Sequence, residues 1–204
     1  MVMIVVMYEL NKLLNKANEL FARKQYRKAI SVYEEILSVD PLNLSAINNQ
    51  GYALSKSKNY EAAVEVYEKG LKLNPNDEML LINKISALRK IGLLDESLKI
   101  CNSILRRNQN NFVVLYHKLR ILYNLKKYNE SIKICKKILD SYPKNSDVLF
   151  DQATNFAQTK NTAEAISSLK SAIIISSQFK SKAKQNKAFE SLLTNNDFLR
   201  LIDE

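Results

Sequence analysis

A spacing of 34 residues governs this chain. Pro75 follows Pro41 by 34 positions, Pro143 follows Pro75 by 68, and the sequence holds no other proline. The same ruler aligns Tyr26, Tyr60, Leu94 and Tyr128 in one phase. It aligns Ala29, Ala63, Ser97, Ser131 and Ala165 in a second, and Tyr33, Tyr67, Cys101, Cys135 and Leu169 in a third. Leu37, Leu71, Leu105, Leu139 and Ile173 form a fourth. A period of this size marks stacked repeats, each too small to bury its apolar face alone. Five units follow without a gap, 10–43, 44–77, 78–111, 112–145 and 146–179, with 1–9 before them and 180–204 after.

Each unit reads as two amphipathic helices. In the second, Ile47, Gly51 and Leu54 recur at i, i+4 and i+7, and Ala63, Val64, Tyr67 and Leu71 recur similarly after the polar break Ser57-Lys58-Asn59. That spacing places them on one helical face, and the runs are too long for typical strands. A small residue in the Ala29 phase lets two helices approach closely, and the proline stops the second helix because it lacks an N–H and clashes with the preceding turn.

With each unit numbered from 1, the pattern resembles the tetratricopeptide repeat. That family favours bulky, small and large apolar residues at 4, 8 and 11, then Tyr at 17, Ala at 20, Tyr or Phe at 24, a small residue at 27 and Pro at 32. The second unit supplies Ile47, Gly51, Leu54, Tyr60, Ala63, Tyr67, Gly70 and Pro75, and the first supplies Leu13, Ala17, Leu20, Tyr26, Ala29, Tyr33, Ile36 and Pro41. The third departs, with Ile85 in the small slot and Gln109 in the proline slot. The fifth has Thr162 and Ser177 at the Tyr and Pro slots. The resemblance implies an all-α fold, a right-handed alpha-alpha superhelix of paired antiparallel helices, and a protein-binding scaffold.

Composition excludes several classes. Three glycines in 204 residues leave no glycine-rich phosphate loop. No apolar run approaches the roughly 18 residues of a membrane span. The apolar opening Met1–Met7 lacks the basic flank and cleavage site of a signal peptide. It reads as an extension of the first helix or an upstream start before Met7, with a dimer-forming tag as the alternative. Residues 1–97 hold 13 basic and 12 acidic side chains and residues 98–204 hold 18 and 9, so the excess of +10 lies mostly in the second half. Cys101 and Cys135 occupy an apolar slot, and stacked helices roughly 8–10 Å apart are too distant for a disulfide. His117 is the single histidine, and no side chain has a recognisable catalytic companion. The chain is expected to be a cytoplasmic non-enzyme without cofactor or metal.

The resemblance further implies that positions 2, 5, 6, 9, 12 and 13 of each first helix line a concave groove. Position 6 reads Asn15, Asn49, Asn83, His117 and Asp151. Asparagine is a mediocre helix former, and its amide can pair with both the C=O and N–H of an extended peptide whatever the peptide's sequence. Around this column lie Asn18, Asn48, Tyr52, Lys56, Ile82, Ser86, Arg89 and Lys90, then Tyr116, Arg120, Tyr123 and Phe150. The expected site is therefore a groove for an extended protein or peptide segment, acidic or apolar in character. A clamp for chaperone carboxylate tails is disfavoured. Its five positions here hold Leu14, Asn18, Asn49, Met79 and Asn83, so the asparagines match but all three cations are missing. The alternatives are an assembly subunit that uses a convex basic face around Lys133, Lys136 and Lys137, or an RNA-associated factor. No basic, aromatic-rich motif supports nucleic acid. Residues 180–204 break the period. Phe189, Leu192, Leu193, Phe198 and Leu201 are expected to fold back as a cap over the open end of the fifth unit.

Overall fold

The computed structural model describes residues 2–203, with side chains from Val5 onward. Met1, the first residue of the apolar opening, lies outside the described residues. The chain divides into two compact units, Met1–Ile104 and Leu105–Glu204. The first contains α1 (Val2–Ala22), α2 (Tyr26–Val39), α3 (Leu44–Lys56), α4 (Tyr60–Leu73), α5 (Glu78–Lys90) and most of α6 (Leu94–Arg107). The second contains α7 (Phe112–Asn124), α8 (Tyr128–Ser141), α9 (Ser146–Gln158) and α10 (Thr162–Ile175). After these come α11 (Gln178–Gln185), a 3-10 turn (Lys187–Leu192) and α12 (Asn196–Asp203). The described residues are all-α.

Local signals set the helix ends. Each first helix closes on a residue with positive φ: Lys24 (60°), Lys58 (68°), Gly92 (85°), Lys126 (59°) and Lys160 (61°). The next N–H then reaches back five residues, as from Gln25 to Leu20 and from Asn59 to Leu54, each 2.9 Å. This is the Schellman arrangement, which satisfies carbonyls that the helix end leaves free. At the other end of each hairpin, Asn43, Asp77, Asn111 and Asn145 accept from the N–H of Ala46, Leu80, Val114 and Val148 at 3.0–3.1 Å. Such a cap stabilises a helix start by about 1 kcal/mol. These four residues share the last position of their units, a column that sequence reading passed over. It explains why α6 stops at Arg107 although Gln109 replaces proline: Asn111 begins α7 regardless.

The cores show a size exchange inside each hairpin. Position 8 holds Ala17, Gly51, Ile85, Leu119 and Ala153, while position 24 holds Tyr33, Tyr67, Cys101, Cys135 and Leu169. All ten are buried. A small residue at one position faces a large one at the other, and where Ile85 and Leu119 enlarge the first, cysteine shrinks the second. In the two cysteine hairpins, Ser97 and Ser131 also donate to the carbonyls of Ile85 and Leu119, each at 2.9 Å. The departure at Ile85 is therefore half of a compensated pair.

Lys84 adds a buried charge to the first unit. Its ammonium lies 2.8 Å from Glu68 of α4 and 2.9 Å from Glu96 of α6. Burial works to lower its pKa, but the two carboxylates outweigh this and hold it above the ordinary lysine value. Lys84 is therefore fully charged below the ordinary lysine pKa, and its contribution to stability is lost only as pH rises through the raised one.

In the second unit the tail packs on α9 and α10. Phe179, Phe189, Leu192, Phe198 and Ile202 are buried in one cluster with Phe150, Ala153, Leu169 and Ala172. Leu201 is only partly buried there, and Leu193 is 47% exposed, so it does not join the fold-back expected of it. Phe179 and Ile202 join it instead.

Candidate functional site

In the first unit, α1, α3 and α5 lie side by side. Asn83 donates to Asn48 at 2.9 Å, Asn48 to Asn49 at 3.2 Å, and Asn49 to Asn18 at 3.1 Å. Tyr33 of α2 donates to the same Asn18 oxygen at 2.7 Å. Four amides thus form one row across three helices, anchored below by a buried phenol. Sequence reading treated position 6 as the row. The structure instead joins position 9 of one hairpin to position 6 of the next (Asn18 with Asn49), then steps through position 5 (Asn48). Asn15 stays exposed and outside the row among the described residues. The amides already satisfy part of one another's capacity, so a ligand would meet an organised polar strip rather than free side chains. The carbonyl of Asn83, both N–H groups of Asn18 and one N–H of each other amide remain for it.

An aromatic step flanks the row. Phe21 stacks on Tyr52 at 5.2 Å with an interplanar angle of 28°. Lys56 places its ammonium 5.0 Å from the Tyr52 ring centre, a cation–π geometry. Tyr52 and Lys56 are exposed, as is Lys90, while Ile82, Ser86 and Arg89 are half-buried.

Two equivalent phenols below this surface differ. Burial raises the Tyr33 pKa, opposed by the amide row that its hydroxyl touches. Burial pushes Tyr67 further, up to about 12, against a smaller opposing pull from Ser55. Yet neither the Tyr67 nor the Ser55 hydroxyl has a partner of hydrogen-bonding geometry among the described residues. The reason is one substitution: Asn18 receives Tyr33, whereas Tyr52 stands at the corresponding position above Tyr67. Replacing Tyr33 by Phe is expected to cost about 1 kcal/mol, while Tyr67→Phe is neutral or stabilising by up to about 1 kcal/mol. Urea denaturation of both variants checks the opposite signs.

The second unit presents a different surface. Arg120 lies over the Tyr116 ring at 4.4 Å, donates to the Tyr116 hydroxyl, and places Nε 3.3 Å from Asp151. Burial works to lower the Arg120 pKa, but Asp151 and Tyr116 outweigh it, so the guanidinium stays charged. Burial, with Asp151 adding to it, pushes the Tyr116 phenol up to about 12. Arg120 to Asp151 is again position 9 to position 6 of the next hairpin. The guanidinium expected to draw an acidic ligand is thus already paired within the protein. His117 is half-buried. Phe150 is a correction: it was expected to face a groove, but it packs 5.0 Å from Phe179 and 5.7 Å from Phe189 in the core that the tail creates.

Cys101 and Cys135 are buried and not bridged by a disulfide, and burial pushes the Cys135 thiol up to about 12, with Asp151 adding to the effect. Among the described residues no group of three His, Cys, Asp or Glu side chains could hold a metal ion. None of the described helices is long and apolar enough to cross a membrane.

Comparison with known proteins agrees with the fold. Tetratricopeptide repeat family models match residues 45–77 and 113–145. Solved structures of similar fold include YrrB, described as a TPR protein with an unusual peptide-binding site (20% identity, TM-score 0.68, 85% of this chain and 91% of that one). They also include MamA (15%, 0.72, 87% and 95%) and MamA residues 41 to the end from Desulfovibrio magneticus RS-1 (17%, 0.76, 83% and 96%). At these identities the likeness is one of fold. No curated protein sequence matches. Repeat matches, helix pairs and structural neighbours together show that this chain carries tetratricopeptide repeats, at residues 45–77 and 113–145, in an all-α fold of stacked helix pairs.

Proposed function

We propose that the chain is a cytoplasmic, non-enzymatic scaffold that holds an extended segment of a protein partner across the exposed faces of α1, α3 and α5. The observation that supports this is the amide row Asn18–Asn49–Asn48–Asn83. Peptide backbone offers the same donors and acceptors as these amides, so such a row can exchange some internal bonds for bonds to a strand without stranding polar groups. The Phe21–Tyr52 stack beside it offers an apolar side chain a flat seat, and Lys56 favours a carboxylate nearby. Because Arg120 is paired with Asp151, an acidic preference in the ligand would rest on Lys56 and Lys90. Two buried, unbridged thiols suit a reducing compartment.

The test is an array of short extended peptides probed with wild type and with Asn49→Ala/Asn83→Ala. The double variant should bind the selected peptides at least about tenfold more weakly, about 1.4 kcal/mol, with unchanged far-UV circular dichroism. Full retention of binding would remove the groove reading. Loss of binding on reversing the exposed Lys133 and Lys136 would move the interface to the convex basic face.

A further inference from the structure

The turn between α1 and α2 carries a cationic cleft that the groove reading leaves unused. A cleft of about 420 Å³ is lined by Lys24, Gln25, Tyr26, Arg27, Lys28 and Ser57. Three of the six are cations and none is a carboxylate. Among the described residues Lys24, Arg27 and Lys28 form no ion pair, and all three are exposed. Lys24 holds a φ of 60°, a conformation that favours glycine, and Gly92 fills the equivalent turn of the third hairpin. Four of the five turns, this one included, place a lysine where the backbone would more readily accept no side chain, so the cleft is set apart by Arg27 and Lys28 beside it. Tyr26, packed on Phe21 at 5.3 Å, forms a fixed wall.

A second turn provides an internal comparison. Lys160 also has a positive φ, 61°, beside a cleft of about 650 Å³, but that cleft includes Glu190 and α10 has Glu164 in its first turn. The charge there is internally balanced. At the Lys24 cleft it is not.

We propose that the Lys24–Arg27–Lys28 cleft binds a phosphoryl group on a partner protein. A doubly charged phosphate calls for more than one cation. The planar fork of Arg27 can take two of its oxygens in parallel, while the two lysines supply mobile point charges. The cleft is large enough to admit the phosphorylated side chain with its flanking backbone. This site is on the turn edge and does not depend on the amide row.

The experiment records backbone amide NMR shifts while the full chain is titrated with a phosphoserine peptide flanked by glycine and alanine. Its serine and glutamate versions, inorganic phosphate and poly(U) RNA serve as separate arms. Saturable shifts at Tyr26, Arg27 and Lys28 with the phosphopeptide are expected, weakened at least about tenfold in Arg27→Gln/Lys28→Gln. Lys24→Gly should also weaken binding without lowering the melting temperature. Absent shifts, or shifts that survive the double variant, would overturn the proposal. So would equal shifts at Thr162 and Ala163, which would indicate diffuse attraction to basic turns. Equal affinity for the glutamate peptide or for inorganic phosphate would overturn protein-borne phosphate as the ligand. Tighter binding of RNA at the same amides would replace it.

Discussion

Phe198→Ala is expected to destabilise the second unit by about 3–5 kcal/mol, the usual cost of removing a buried aromatic ring. Phe198 is fully buried and lies 5.6 Å from Phe189, which in turn meets Phe150 of α9. The ring therefore joins α12 to the hairpin beneath it. A fall in melting temperature on the order of 10 °C or more should follow. Removing residues 187–204 should go further, because Phe150 and Phe179 would lose the partners that cover them. Dye binding to the newly exposed apolar wall would report this alongside the melt. A truncated chain that melted with the wild type would show that the α9–α10 wall is covered by something other than the tail. The Lys184–Asp203 ion pair, 2.8 Å long but half exposed on both sides, contributes little by comparison.

The second large effect concerns the Gly51–Tyr67 pair. A Cβ placed on Gly51 would fall 2.7 Å from Tyr67 Cζ, and the ring it meets is fully buried. Gly→Ala inside a helix ordinarily stabilises by about 1 kcal/mol. Here overpacking costs about 1–3 kcal/mol, so Gly51→Ala is expected to destabilise. The larger change, Gly51→Ile, should be worse still, and Tyr67→Cys alone should cost about 3–5 kcal/mol through the cavity it leaves. Combined, the two reproduce the Ile85/Cys101 arrangement of the next hairpin. The double variant should be more stable than either single one, with a coupling of up to about 3 kcal/mol in a double-mutant cycle. Additive losses would show that the exchange at positions 8 and 24 has no packing basis.

These pairings also mark the boundary of what could be read in the sequence. The period and the helix pairs were legible because each apolar column repeats one requirement in one phase: Tyr26 under Tyr60, Ala29 under Ala63, Leu37 under Leu71. The amide column was visible for the same reason. Relations between phases were not visible, since no single column reveals them. Ile85 looked like a defect until Cys101 was set beside it, and Asn18 looked peripheral until Asn49 and Tyr33 were seen to share its oxygen. The N-cap column could have been found, because Asn43, Asp77, Asn111 and Asn145 repeat as faithfully as the prolines and start helices by known chemistry. Phe150 was misplaced for another reason. A rule for interior repeats assigns it to a groove, but the non-periodic tail, whose packing has no register to follow, covers that wall.

Each hairpin contains both halves of its own size match and closes its first helix on its own left-handed residue, and the first four hand the chain on through an asparagine or aspartate. The size match and the turn of a hairpin are therefore its own, while the burial of its apolar face still depends on a neighbour. Evolution could lengthen or shorten such a chain by duplicating or deleting whole cassettes, and the tyrosine and cysteine versions record two packing solutions that could drift apart without disturbing the joints.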